Sequence, residues 1–187
     1  MNQSRPKRVA PAFEGQWFHI IASTYGAWLH GDARGFRTRH HRQHVVGDYR
    51  DPPPALPYLN TRKHSLKSLK QPPVRIAAKW RPKIGRPLEE KLRRDGAFVL
   101  CIAVSSQHMH LLAKLPLGAE PRIWMGLAKK HVTFEVRQAG WQGKLWAKRG
   151  KELPVKDRRH QLKVYRYILA HKAQGAWVWN WMQDAAE

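Results

Sequence analysis

Acidic residues are scarce in this chain, cysteine is almost absent, and no apolar run is long enough to cross a membrane. Each shortage excludes something. Only 13 Asp and Glu stand against 35 Lys and Arg, a formal charge of +22 with neutral histidines. An imbalance of that size carries self-repulsion and points to a polyanionic partner. Nucleic acid is the first candidate and an anionic membrane surface the second. The single cysteine, Cys101, excludes a disulfide within the chain and a zinc site built on thiolates. Set in an apolar run, it reads as a buried thiol in a reducing compartment. No segment approaches the roughly 20 apolar residues of a membrane span. Residues 1–15, MNQSRPKRVAPAFEG, are basic without the apolar centre of a signal peptide, and are expected to form a flexible basic arm.

What remains is enough for one real core. The chain has 187 residues, 42% of them hydrophobic. The expectation is a single domain over 16–187 with a proline-rich insertion around 37–75. The 9 tryptophans divide between core packing and stacking on unpaired bases.

The organising stretch is AFVLCIAVSSQHMHLLAKL, residues 97–115. Two apolar runs flank a polar break at Ser105, Ser106 and Gln107. In a strand, alternate side chains share a face, so His108 and His110 point one way and Met109 the other. Two imidazoles side by side on a rigid strand can each offer a nitrogen to one divalent metal. The competing reading is a pair of surface histidines in a basic chain. Against it, these histidines enter an apolar strand, where an unpaired polar group is costly.

Around that strand the chain reads as alternating strands and helices. QWFHIIASTY, residues 16–25, is a first strand with Trp17, His19 and Ile21 on one face. His19 is either a hydrogen-bonded core histidine or a residue lining the metal position. A glycine-punctuated loop follows, from Tyr25 to Phe36. The cluster Arg37, Arg39, His40, His41, Arg42 and His44 reads as a basic solvated face or a phosphate contact. DPPPALP, residues 51–57, blocks regular structure. A helix is expected over Pro87 to Arg94, with Arg81 and Arg86 near its start as phosphate contacts. A longer one is expected over Glu120 to Ala139, with an apolar stripe of Ile123, Leu127 and Phe134. A third runs from Arg158, capped by Asp157 and stopped by Gly175. The alternating Trp177, Trp179 and Trp181 suggest a last strand. This order of elements suits a split βαβ fold.

Tyr167 and His171 lie four residues apart on the third helix and are neighbours on its surface. A tyrosine hydroxyl suits reversible phosphodiester exchange, because the phosphotyrosine ester keeps the bond energy for religation. A metal held by two imidazoles and a third ligand would neutralise charge and orient the phosphate. The competing reading for Tyr167 is a packed aromatic, and Tyr165 is a rival for its role.

His108-Met109-His110, the segment YRYILAH from residue 165 to 171, and the loop STYGAWLHGDARGF from residue 23 to 36 together resemble the IS200-like single-tyrosine transposases. Those belong to the HUH endonucleases and include relatives associated with repetitive extragenic palindromes. The resemblance covers most of the chain from Trp17 to Trp179 and little of the proline-rich stretch around Asp51 to Pro57. It departs from the family pattern at Gln107, where many members have Asn, and at His171, a place often held by Gln. It implies an α+β, ferredoxin-like fold with an antiparallel sheet and helices on one face. It implies a metal-dependent single-stranded DNA nickase and strand-transferase acting through a 5′-phosphotyrosine. Tyr167 would be the nucleophile, and His108, His110 and His171 would hold a divalent ion, Mg2+ or Mn2+. An imidazole at 171 shifts the preference from magnesium towards manganese or a softer metal. The implied partners are single-stranded DNA beside a hairpin and a second copy of the chain, with no membrane, in a prokaryotic cytoplasm close to the nucleoid. A basic nucleic-acid-binding protein without chemistry is the alternative.

Overall fold

The computed structural model describes residues 12–37, 42–43 and 58–184. Most of the expected arm, the cluster Arg39, His40, His41 and His44, and the DPPPALP stretch lie outside the described residues.

The framework is a five-stranded antiparallel sheet in the order β6-β1-β5-β4-β7. β1 is Gly15–Thr24, β4 is Phe98–Val104, β5 is His108–Pro116, β6 is Trp146–Pro154 and β7 is Trp177–Asn180. A two-stranded ribbon, β2 (Phe36–Arg37) with β3 (Arg42–Gln43), stands apart from it. The helices are α1 (Leu59–Lys67), α2 (Arg81–Arg94), α3 (Pro121–Gln138), α4 (Arg158–Ala170) and the short α5 (Trp181–Asp184). Through β1, α2, β4, β5, α3 and β6 the chain follows the βαββαβ order of a ferredoxin-like fold, and α4 with β7 extends it.

β5 lies at the centre because its sequence permits burial on both faces. Ile20 pairs with Leu111 and Ile21 with His110 on one side, and Ile102 pairs with Leu111 and Ala103 with His110 on the other. Met109, Leu111, Ala113 and Leu115 face α2 and α3 and are fully buried there with Ile84, Leu88 and Leu92. Each of the buried Met, Leu and Ile side chains stabilises the fold by about 1.5–3 kcal/mol. His110 and Leu112 face the other way, and Leu112 joins Cys101, Ala103, Val164 and Ile168 in a second, smaller core.

That second core corrects one expectation. The α+β class, the antiparallel sheet and the helices packed on it are as read from the sequence. α2 and α3 share one face, but α4 crosses the opposite one. The physical reason is that β4 and β5 are apolar on both sides, so a helical layer on one face alone would leave Cys101, Ala103 and Leu112 in water.

Two helices differ in detail. α2 starts at Arg81, with Pro82 in its first turn, and it carries Pro87 inside. The proline in the first turn is the start signal, because its missing N–H is unpaired there anyway. Gly85 on this helix lies against Trp177 of β7, whose ring occupies the space that a Cβ would need. α3 buries Met125, Ala128, Val132 and Val136, while Ile123, Leu127 and Phe134 are 61%, 51% and 58% exposed. Its apolar stripe therefore faces outward.

At the outer edge of the sheet, Lys148, Arg149 and Lys151 are exposed on β6, and Pro154 ends the strand. Charges and proline on an edge oppose pairing with another chain. Eight of the tryptophans pack: Trp17 beside the smaller core, Trp80, Trp124, Trp141, Trp146, Trp177 and Trp179 around the larger one, and Trp181 edge-on to Phe98. Trp28 is 49% exposed.

Candidate active site

Asp157 caps α4 by accepting a hydrogen bond from the His160 amide at 2.7 Å. A cap of this kind contributes about 1 kcal/mol to a helix. From that start, Val164 and Ile168 fall on the sheet face under α4, and their seating on Cys101, Ala103 and Leu112 carries the end of the helix over β5. His171 follows the last residue of α4 and opens a short 3-10 turn that Gly175 closes with φ 76°. A side chain at that left-handed position would be strained.

His108, His110 and His171 meet there. One nitrogen from each ring lies within 4.8 Å of the others. Ring centroids are 4.9 Å apart for His108 and His110, 4.6 Å for His110 and His171, and 5.8 Å for His108 and His171. The Tyr167 ring stands 4.8 Å from His171 and 5.2 Å from His110. Tyr167 is 39% exposed, whereas His110 and His171 are buried. The tyrosine thus sits between the histidine cluster and solvent.

On two of the three rings the second nitrogen is tied down. His171 Nδ1 is 2.9 Å from the Tyr167 carbonyl oxygen, so Nδ1 donates and Nε2 is the nitrogen left to offer a metal. His110 Nδ1 is 3.0 Å from His19 Nε2. When His110 donates across that contact, its own Nε2 is the free lone pair. Burial, and then the charges of His108, His171 and His19, push the His110 pKa down to about 2. Burial, with His171 and Arg34, lowers His108 to about 4. Burial, with His160 and His171, lowers His19 to about 4. These three rings are neutral at pH 7 and so have lone pairs to offer.

Three converging imidazoles, two of them anchored through the second nitrogen, fit a divalent cation. Ligating histidines in metal sites are held in this way by outer partners. The three-residue group holds only histidines. That donor set suits manganese, iron, cobalt or zinc better than magnesium, which favours oxygen.

His19 is the buried, hydrogen-bonded histidine of the two readings given above, and it serves as the outer partner of His110. Tyr165 is engaged elsewhere. Its hydroxyl accepts from Asn180 Nδ2 at 2.8 Å and lies 3.7 Å from the Met182 sulfur. Arg81 is also committed, donating to the carbonyls of Ile76 and Gly175. Arg86 is exposed on α2, and Lys163, Arg166 and Lys172 are exposed around the end of α4.

Sequence reasoning missed Asp32 and Arg34. Asp32 is buried, yet it holds Arg34 through Nε at 2.9 Å and Nη2 at 2.8 Å, and Arg62 at 3.2 Å. The signal lay in GDARG, an acid two residues before an arginine between two glycines.

No family model matches the chain, and no curated protein matches it. Among the solved structures that are similar to this chain are two transposases. One is a REP-associated tyrosine transposase bound to a REP hairpin, with a TM-score of 0.46 and 12% identity over 94% of this chain and 74% of that one. The other is a candidate transposase from Deinococcus radiodurans R1, with a TM-score of 0.42 and 13% identity over 91% of this chain and 97% of that one. No described helix is long and apolar enough to cross a membrane.

Proposed function

We propose that the protein is a metal-dependent single-stranded DNA endonuclease and strand-transferase that works through a 5′-phosphotyrosine. The observation that carries this is the convergence of Tyr167 with His108, His110 and His171, two elements that are distant in sequence. The net charge of +22 supports a nucleic-acid substrate, and the motif resemblance gives the reaction class. A divalent ion on the three imidazoles would supply Lewis-acid stabilisation of the phosphate.

The chain's own residues would do the rest. The Tyr167 oxygen forms a bond to phosphorus and its proton passes to solvent. The bond from phosphorus to the 3′-oxygen breaks, and that oxygen takes a proton to leave as a 3′-hydroxyl. An incoming 3′-hydroxyl then displaces the tyrosine by the reverse steps. Lys163, Arg166 and Lys172 would hold the neighbouring backbone. The expected partner is single-stranded DNA beside a hairpin, handled by a twofold dimer.

Tyr167→Phe removes only the hydroxyl. It should give no nick and no covalent adduct on labelled single-stranded DNA from the flanks of the protein's own gene, with near-normal affinity. Mass spectrometry of the wild-type adduct should place a 5′-phosphate on Tyr167. An adduct on Tyr165, or nicking that survives in Tyr167→Phe, overturns the assignment. Affinity without any adduct in the wild type would favour a binding protein without chemistry.

A further inference from the structure

We propose that Arg34 is a phosphate-binding residue of this site, a guanidinium held at the end of β1 near His108 so that its free Nη1 group meets a DNA phosphate. The proposal rests on the phosphodiester reading above and adds a residue to it.

The geometry leads from the histidine strand to the arginine in short steps. Ser23 pairs with His108 across β1 and β5. The next residue, Thr24, donates its amide to the Gln107 carbonyl at 2.9 Å, and Ala27 donates to Thr24 at 3.2 Å. The Ala27 carbonyl in turn accepts from Arg34 Nη2 at 2.7 Å. The guanidinium therefore stands at the end of β1 where His108 begins β5. Its charge reaches His108.

The group is also fixed in orientation. Asp32 grips Nε and Nη2, and the Trp28 ring lies under the guanidinium at 4.2 Å. Among the described residues Nη1 has no hydrogen-bond partner, and the side chain is 29% exposed. A purely structural ion pair does not need this arrangement. Asp32 already has Arg62 as a second cation, so two arginines on one carboxylate leave a net positive charge in this loop. A guanidinium whose Nε and Nη2 hydrogens are all engaged keeps its two Nη1 hydrogens for the oxygens of a phosphate, in a charge-assisted contact. Preorganised donors of this kind hold most of their value in a partly desolvated site.

The test uses the full chain, its divalent metal, and labelled single-stranded DNA from the flanks of its own gene. Arg34→Gln should make the slope of log affinity against log salt shallower by about one. Adduct formation should slow by about a hundredfold. Arg34→Lys keeps the charge and loses the anchored, planar guanidinium, so its salt slope should stay near wild type while its adduct rate still falls. A wild-type salt slope in Arg34→Gln overturns the phosphate contact, whatever happens to its melting temperature. If Arg34→Gln does not fold, Arg34→Lys decides, and a wild-type adduct rate there refutes the directed contact. A wild-type protein that forms no adduct sinks the phosphotyrosine reaction instead, and the salt slope of Arg34→Gln still judges the contact on its own.

Discussion

The two faces of the sheet are built from the same strands and serve different ends. Towards α2 and α3, β5 presents Met109, Leu111, Ala113 and Leu115, all fully buried. Towards α4 it presents His108, His110 and Leu112, and only the last of these joins an apolar core. One strand thus supports a close-packed face and a polar face at once, because side chains alternate. The packed face makes β5 rigid, and that rigidity fixes the imidazoles. The polar face would be unstable alone, since buried nitrogens cost free energy unless bonded. His19 provides such a bond to His110, and the Tyr167 carbonyl provides one to His171 opposite it.

If the division of labour holds, the largest effect lies on the polar face. His108→Ala should reduce nicking and adduct formation below detection, at least about a thousandfold, on the scale of losing a principal catalytic electrostatic group. DNA affinity should stay mostly intact, because backbone contacts elsewhere carry it. His108 is only partly buried, so the melting temperature should move little. Full nicking by this variant, or by wild type in excess chelator, would end the metal assignment.

Leu111→Ala tests the other face. The side chain is fully buried between β5 and the helices. Truncation should lower stability by about 3 kcal/mol in urea unfolding, the range for a leucine cavity that only partly collapses. The fraction that remains folded should form the adduct at the wild-type rate. A variant of normal stability that has lost activity would show that the faces are not separable in this way.

The same contrast explains what could be read from the chain. The histidine strand was legible because alternation along HMHLLAKL is local, and the cap at Asp157 and stop at Gly175 are local too. Spacing on one helix brought Tyr167 beside His171. The partly correct readings depended on long-range packing. An apolar stripe on α3 shows that a face exists, but not that the helix will turn Ala128 and Val132 inward and leave Ile123 and Phe134 outside. The position of α4 depended on the second apolar face of β4 and β5. Asp32 and Arg34 were hidden because neither belongs to a periodic element, and an ion pair two residues apart leaves little trace in composition.

His19 lies between the two cases, being packed like a core residue and bonded like a site residue. His19→Phe keeps the bulk and removes the acceptor for His110 Nδ1. It should weaken binding of manganese or zinc by about 10- to 100-fold, the usual effect of losing an outer partner of a ligating histidine. Titration calorimetry reads this directly, without DNA. Unchanged affinity would mean that His110 does not need His19 to present its other nitrogen.

The smallest effect concerns the loop beside the polar face. Burial alone would raise the Asp32 pKa, but hydrogen bonds and charge from Arg34, with the charge of Arg62, hold it below the usual value of 3.8. A carboxylate whose folded pKa is depressed stabilises the fold above its unfolded pKa. That contribution fades as the pH falls through the folded value. The affected window therefore lies below about pH 4, and the sign is loss of stability on acidification. Asp32→Asn removes the titration. Its stability at neutral pH should be lower, because two arginines lose their counter-charge, but its dependence on pH below 4 should be flatter than that of wild type. The slope is the informative quantity, since the offset mixes lost charge with altered hydrogen bonding. Unfolding by urea at a series of pH values down to 2.5 measures both. Parallel curves for the two proteins would mean that Asp32 is not held ionised by Arg34 and Arg62. The arginine beside His108 would then lack the anchor that distinguishes this loop from the other basic surfaces of the protein.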